Sequence, residues 1–431
     1  MPLLTKLRHQ LALMLIALAS LFVIGGRFTA PVHFFRIQKP AYVLVGYTSS
    51  LSFRQTTSFN STLKTPIPAT ERWKNESTKY IKTNGEMNAD KTRSSCKKFQ
   101  SFQQKIQFTV RWNENKTLLL CPIYKVGTTF WRRVFMIDSE KKFSHLVNPY
   151  EISFDTEYAA TKFVWNPRIK SKPYKVMFTR DPYNRLFSFY VDKLLAPNPY
   201  FWKTVGVKIA ALTRGVRGRT RKDICGHDIT FPEFIKYVIH TLETRRDVDP
   251  HWVEMERSCY PCEMEYDFVG KMENFQEDSI DILKKLGLTK MVSFLEKNGK
   301  EVSDIDAIGD TLNQPFAFRK QYGRCISFKE AILRSWRKLQ IRGLIENDTL
   351  NITLINDRTL TLGGIIAIAK ELRKSSTAPG RKQIKNAMYK AIWSNVSLSD
   401  LYKLQELYAK DFNLFGYDNM PTTLFPRGTE I

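Results

Sequence analysis

The sequence predicts an α/β fold, a parallel sheet flanked by helices. Three observations predict it. Two stretches, Cys121-Pro-Ile-Tyr-Lys-Val-Gly-Thr-Thr-Phe-Trp-Arg-Arg133 and Lys175-Val-Met-Phe-Thr-Arg-Asp-Pro-Tyr-Asn-Arg-Leu-Phe-Ser-Phe-Tyr190, each read as a strand, a polar turn and the start of a helix. Strand-like and helix-like segments alternate through the middle of the chain, the pattern of a sheet covered on both faces by helices. Both turns also deliver cations and hydroxyls to helix N-termini, whose free N–H groups attract anions. In open α/β sheets ligands gather at the carboxyl ends of strands, and two such turns in one domain imply a ligand anionic at both ends.

The elements follow in order. Lys6, Arg8 and His9 precede an uncharged run over residues 11–26, and Arg27 follows it. Sixteen helical residues span about 24 Å at roughly 1.5 Å each, close to the thickness of an early secretory membrane, roughly 27 Å. Basic residues ahead of the run favour a cytoplasmic N-terminus. The expectation is a cytoplasmic tail over 1–10 and a type II signal anchor over 11–26. A cleaved signal peptide is the alternative, because Ala17–Ser20 offers small residues. A mitochondrial presequence would suit the absence of acidic residues before Glu71, but the solid apolar block argues against it.

Residues 27–103 are rich in Ser, Thr, Lys and Asn with weak periodicity, and read as a stem. The globular domain is expected over 104–425. It begins near Ile106–Val110. Leu118–Cys121 reads as a short buried strand stopped by Pro122, and Thr129–Met136 as a helix. Lys175–Thr179 is the next strand. Pro182–Leu194 is the next helix, with proline in the first turn, where its missing N–H is harmless. Asp267–Gly270 is a third strand, and a helix follows around Glu277–Leu286. Residues 203–222, with Lys203, Lys208, Arg214, Arg217, Arg219, Arg221 and Lys222 among Gly and Thr, read as a mobile basic loop. Residues 352–390, ending in the basic run Arg373–Lys385, carry no clear assignment.

Hydrophobic residues make up 43% of the chain and charged residues 25%, ordinary for a globular protein, but the net charge is +25. Such a charge implies a polyanionic partner: a nucleic acid, an anionic membrane or an acidic glycan. No nucleic-acid motif and no aromatic–basic interleaving of the RNA-binding kind is present, so no nucleic-acid partner is expected. Six Asn-x-Ser/Thr sequons, at Asn60, Asn75, Asn115, Asn347, Asn351 and Asn395, together with the N-terminal run, indicate a lumenal domain. Cys96, Cys121, Cys225, Cys259, Cys262 and Cys325 then lie in an oxidising compartment, where three disulfides can form in fifteen ways. Cys259-x-x-Cys262 could suggest a redox motif or half a zinc site. No second pair with ligand spacing follows, so disulfides are the expected use and no metal is expected.

The chain resembles the Golgi carbohydrate sulfotransferases of the chondroitin 4-O / HNK-1 type (sulfotransferase family 2), whose sulfuryl donor is 3′-phosphoadenosine-5′-phosphosulfate (PAPS). Lys125, Thr129 and Trp131 match the family's first turn, Pro-Lys-x-x-x-Thr-x-Trp, although Tyr124 stands where proline is usual and Phe130 where a small polar residue is common. Arg180 to Ser188 match Arg-Asp-Pro-x-x-Arg-Leu-x-Ser. Further agreement lies in His251-Trp252, Cys259-Tyr-Pro-Cys262, Tyr266–Glu273, Leu401–Leu404 and Asp411–Tyr417. The resemblance covers roughly residues 104–418. It implies a PAPS-dependent, P-loop-like sulfotransferase fold in a Golgi membrane, with a lumenal catalytic domain and an anionic glycan as acceptor.

It also implies a site. Lys125, Val126, Gly127, Thr128, Thr129, Phe130 and Trp131 would cradle the 5′-phosphosulfate, with Trp131 either stacking on the donor or packing the helix. Arg180 and Ser188 would hold the 3′-phosphate, unless Arg180-Asp181 is a surface ion pair. Arg185 is expected to brace the fold through a carboxylate. Sulfuryl transfer asks for positioning and neutralisation of the leaving phosphate, and Lys125 is the cation proposed for the bridging oxygen. A sugar hydroxyl also needs a base, and imidazole suits it. Among His145, His227, His240 and His251, the last is favoured, with Glu273 in reserve. No Gly-x-x-x-x-Gly-Lys-Ser/Thr occurs, which weakens a kinase-like reading. A catalytically silent glycosaminoglycan-binding homologue is the remaining alternative, prompted by Tyr124 and Phe130.

Overall fold

The computed structural model describes residues 81–99, 109–113, 115–153, 162–164, 172–215, 225–346, 350 and 359–425. The expected tail and anchor, and most of the expected stem, lie outside the described residues. Among the described residues no helix is long and apolar enough to cross a membrane. The described residues all belong to one compact unit.

Among the described residues five strands form one mixed sheet: β1 (Thr109–Trp112), β2 (Leu118–Cys121), β3 (Lys162–Val164), β4 (Tyr174–Thr179) and β5 (Phe268–Lys271), in the order β3-β1-β2-β4-β5. The strands expected around β2, β4 and β5 form its parallel part. Leu118 pairs with Tyr174 and Cys121 with Met177, while Val176 pairs with Phe268 and Thr179 with Lys271. Their carboxyl ends therefore line one edge. All four residues of β2 are buried, as are the last four of β4, the apolar run of a strand covered on both faces.

The wholly parallel sheet is corrected at its other side, where β1 runs antiparallel to both β2 and β3. The link from Trp112 to Leu118 explains this. Asn113 accepts the N–H of Leu118 on its side chain (2.7 Å), donates its own N–H to Leu118 O (3.2 Å), and Lys116 takes a left-handed φ of 55°. So short a link closes a hairpin, whereas a parallel pair needs a longer crossover.

The helices are α1 (Asn84–Cys96), α2 (Thr128–Ser139), α3 (Pro182–Phe189), α4 (Val207–Arg214), α5 (Phe231–Thr244), α6 (Phe275–Lys285), α7 (Thr289–Ala317), α8 (Phe328–Ile341), α9 (Leu362–Ser375), α10 (Ala378–Trp393), α11 (Leu398–Leu407) and α12 (Ala409–Phe415), with shorter helical turns between them. Helix α1 corrects the boundary expected at residue 103, because folded structure starts inside the supposed stem. A Thr83/Glu86 capping box starts α1. Asn88 donates to Val269 O, Arg93 donates to Tyr266 O, and Cys96 is bonded to Cys262. The helix thus lies along β5.

The other two disulfides are Cys121–Cys259 and Cys225–Cys325. The two cysteines of Cys-x-x-Cys therefore pair outward, one to the end of β2 and one to α1. The loop expected over 203–222 is also corrected. Its first part is helical up to Arg214, continuous with a π-helical stretch at Trp202–Gly206. There Lys208 pairs with Asp247, and Arg214 with Asp228 and Glu233. Arg217, Arg219, Arg221 and Lys222 lie outside the described residues. The unassigned stretch 352–390 supplies α9 and most of α10. Ile365 and Ala369 of α9 enter the core formed with α7 and α8, and Trp393 of α10 enters the core around α3.

Candidate active site

The first anion turn leaves the end of β2, where Cys121 is bonded to Cys259. Lys125 and Gly127 both take left-handed backbone conformations, with φ of 70° and 83°. Glycine is required at 127 twice over, since a Cβ there would also lie 2.2 Å from the Phe275 ring. Helix α2 starts at Thr128 with no side-chain cap, so its first N–H groups are left for a ligand. The half-buried hydroxyls of Thr128 and Thr129 make no hydrogen bond among the described residues. Val126, Phe130 and Trp131 are a different case: their side chains are buried in the core. Trp131 packs on Phe135 and Phe178, with centroids 6.2 and 5.7 Å apart, so of its two expected uses the packing one holds. These three residues can face a ligand only through their backbone.

The second turn leaves β4. Asp181 caps α3, accepting from the Asn184 N–H (2.8 Å), and burial pushes its carboxyl up to about 6. Arg180 does not form the alternative surface ion pair. It reaches across to the first turn, where its Nη1 donates to Lys125 O at 3.2 Å. The two turns are thereby joined. Burial lowers the Arg180 pKa, opposed by the nearby Glu273 and Asp181. Ser188, one to two turns into α3, is half-buried and makes no hydrogen bond among the described residues. Arg185 is 2% exposed and braces the site as expected, but through carbonyls rather than a carboxylate. It donates to Tyr124 O (3.2 Å), Val253 O (2.6 Å) and Pro250 O (3.0 Å).

Those bonds bring the His251 loop against the first turn. The His251 ring lies 4.5 Å from that of Tyr124 and 5.1 Å from Phe189. Its Nδ1 is 2.6 Å from Asp249 Oδ1. With Nδ1–H donated there, Nε2 is the nitrogen able to accept a proton. Burial lowers the imidazole pKa, opposed by Asp249, so the ring stays neutral near pH 7. An aromatic ledge runs on from it, with His251 to Phe201 at 5.3 Å and Phe201 to Tyr200 at 5.2 Å. Tyr124 and Tyr200, its two ends, are 46% and 68% exposed.

The C-terminal helices fix this arrangement. Tyr408 donates to Trp252 O, and Asp411 accepts the N–H groups of Met255 and Glu256 at 2.8 and 2.9 Å. Tyr417 lies 3.0 Å from the Thr179 hydroxyl and donates to the exposed Glu273, the reserve carboxylate, at 3.3 Å.

Sequence reasoning missed a cluster at Lys125. The Lys125 ammonium, 16% exposed, donates to Asp192 Oδ2 at 2.7 Å. Lys338 of α8 donates to Oδ1 of the same carboxylate at 2.7 Å, and Lys193 lies 3.2 Å from Oδ2. Asp192 and Lys193 sit where α3 widens into a π-helical turn, Tyr190–Leu195, a feature common at functional sites. Burial pushes Lys125 down to about 8, partly offset by Asp192. Burial would raise the Asp192 pKa, but its three lysines hold it well below the carboxylate range. A charged Asp-Lys pair directly after Phe189-Tyr190-Val191 was the available local signal. Lys338, 146 residues away, gave none.

Residues 108–316 match the sulfotransferase family model. Among curated proteins, the chain is 29% identical to carbohydrate sulfotransferase 12 of Xenopus laevis over 203 residues, 41% of this chain and 48% of that one. It is 31% identical to human carbohydrate sulfotransferase 9 over 202 residues, 43% of each chain, and 31% identical to carbohydrate sulfotransferase 11 of Rattus norvegicus over 195 residues, 42% and 54%. The chain thus spans about half the length of these relatives. No solved structure matches it.

Proposed function

The chain carries a sulfotransferase-family domain at residues 108–316, and we propose that this domain transfers a sulfuryl group from PAPS to a hydroxyl of an anionic glycan. C4 of N-acetylgalactosamine in chondroitin or dermatan is the first position to test. One observation carries the reading: the two anion turns, from the aligned ends of β2 and β4, are bound to each other by Arg180 on Lys125 O. The free N–H groups of α2, with Thr128 and Thr129, suit the 5′-phosphosulfate. Arg180 and Ser188 suit the 3′-phosphate.

In the reaction the acceptor oxygen bonds to sulfur as the bond from sulfur to the bridging oxygen breaks. His251 Nε2 takes the hydroxyl proton, and the Lys125 ammonium faces the charge that develops on the leaving phosphate. The exposed Tyr124 ring beside His251 supports a sugar ring lying over the base. Three disulfides and exposed sequon residues at Asn115 and Asn395 support a lumenal, Golgi setting with a type II anchor.

Thermal unfolding with adenosine 3′,5′-bisphosphate tests the donor site, since a ligand at one hundred times its Kd adds about 2.7 kcal/mol. An upward shift in Tm, lost in Arg180→Ala, is expected. Transfer from labelled PAPS across a glycan panel tests the reaction. A folded protein that ignores the bisphosphate and yet binds heparin would leave the silent glycan-binding reading in its place.

A further inference from the structure

The Asp192 cluster lies mostly outside the two anion turns. Three ammonium groups converge on one carboxylate, and its oxygens are divided, Oδ2 to Lys125 and Lys193, Oδ1 to Lys338. Lys338 is 1% exposed, locked in α8 between Trp336 and Leu339 of the core. It pins Asp192 from behind, so the carboxylate cannot swing away with Lys125. Three ammonium groups against one carboxylate leave an excess of two positive charges at the place where Lys125 emerges.

We propose that Asp192, fixed by Lys338, is the positioning residue for Lys125: it sets the place and the charge of the ammonium that meets the anionic donor. This inference rests on the donor-site reading above. Lys338 is a contribution from α8, beyond the residues that the family model matches.

The charged groups facing Lys125 come from four elements. Asp192 and Lys193 approach from the π-helical turn and Lys338 from α8, His251 lies beside it in its loop, and Arg180 holds its carbonyl. Asp310 of α7 and Arg342 after α8 lie behind the cluster, near Lys338. A buried lysine among two other lysines would lose its proton readily. Asp192 opposes that loss, which burial has already brought to about 8.

The test is the pH dependence of adenosine 3′,5′-bisphosphate affinity between pH 7.5 and 10, by calorimetry on the folded lumenal protein. The phosphates are fully ionised there, with a second pKa near ~6, so the alkaline loss of binding belongs to the protein. Lys125→Met should abolish that loss. Asp192→Asn removes an anion beside the ammonium and should move the loss to lower pH by about half a unit or more. Lys338→Met removes a cation and should move it to higher pH. Lys193→Met, at the edge of the cluster, should also move it upward, and carries the test if Lys338→Met unfolds. Opposite displacements distinguish positioning from general loosening, which would weaken binding at every pH alike. Binding by the wild type with coincident limbs in all variants overturns this inference. A wild type that binds no bisphosphate at any pH overturns the donor site itself.

Discussion

Two arginines five residues apart show how differently one residue type can serve a site. Arg185 is 2% exposed and satisfies three carbonyls drawn from both the Lys125 turn and the His251 loop. Arg185→Met would strand all three, and should cost roughly 3–5 kcal/mol in urea denaturation. Arg180 donates to one carbonyl at 3.2 Å, and the proposed donor site gives the rest of its guanidinium to the bisphosphate. Arg180→Ala should leave stability within about 1 kcal/mol and weaken bisphosphate binding roughly 10- to 100-fold, the value of a charge-assisted pair. Reversed outcomes would exchange the two roles. His251 makes a third prediction at this scale. Burial keeps its pKa below the ordinary 6.5, so the acid limb of sulfuryl transfer should lie below that value, while any alkaline limb belongs to Lys125. His251→Ala should remove the acid limb along with most of the rate, and an unchanged acid limb would assign the base elsewhere.

At the scale of elements, legibility followed how local the signal was. The strands β2, β4 and β5 and the helices after them show in the sequence because each is an apolar run broken by a turn residue, as at Pro122 and Pro182. Helix α1 did not show, because it buries Gly85, Ala89 and Thr92 rather than an apolar stripe. Gly85 sits against the Phe268 ring, and only a residue without a Cβ fits there. The helix is held by side-chain hydrogen bonds from Asn88 and Arg93 to the carbonyls of Val269 and Tyr266 and by a disulfide between cysteines 166 residues apart, all invisible to composition. The supposed basic loop failed for a related reason: Arg214 reads as solvated until α5 is placed beside it. Glu233 closes the α5 capping box with Thr230 and accepts two bonds from Arg214. The Arg214 fork pulls its carboxyl down to about 2 from 4.5. A depressed carboxylate stabilises above its unfolded pKa, so this contribution is whole above pH 4.5 and lost as pH falls toward 2. Glu233→Gln should lose about 1–2 kcal/mol at pH 7 and flatten stability across that window in acid titration followed by circular dichroism. A wild-type curve already flat there would remove the Arg214 pair as its source.

For the whole molecule, the proposed anion site is assembled from distant parts of the chain. Lys125, Arg180, Asp192, His251, Lys338 and Tyr417 converge across nearly three hundred residues. The two turns were legible because each is a local motif. The convergence was not, because pairings such as Lys338 with Asp192 leave no trace in nearby sequence. The disulfides follow the same geography. Cys121–Cys259 clamps the residue before the first turn to the segment that ends the His251 loop, whereas Cys225–Cys325 bonds to neither turn, and Cys325 packs against the cluster of Trp202 and Tyr322. Removing either should destabilise the fold by roughly 2–5 kcal/mol, mainly by freeing the unfolded chain. Their effects on binding should differ. At a temperature where both variants remain folded, Cys121→Ser with Cys259→Ser should weaken bisphosphate affinity, because the turn and the His251 loop lose their common anchor. Cys225→Ser with Cys325→Ser should leave it near wild type. Equal losses in calorimetry would mean that the site depends on overall stability alone, and that the covalent link beneath Lys125 has no particular part in holding it.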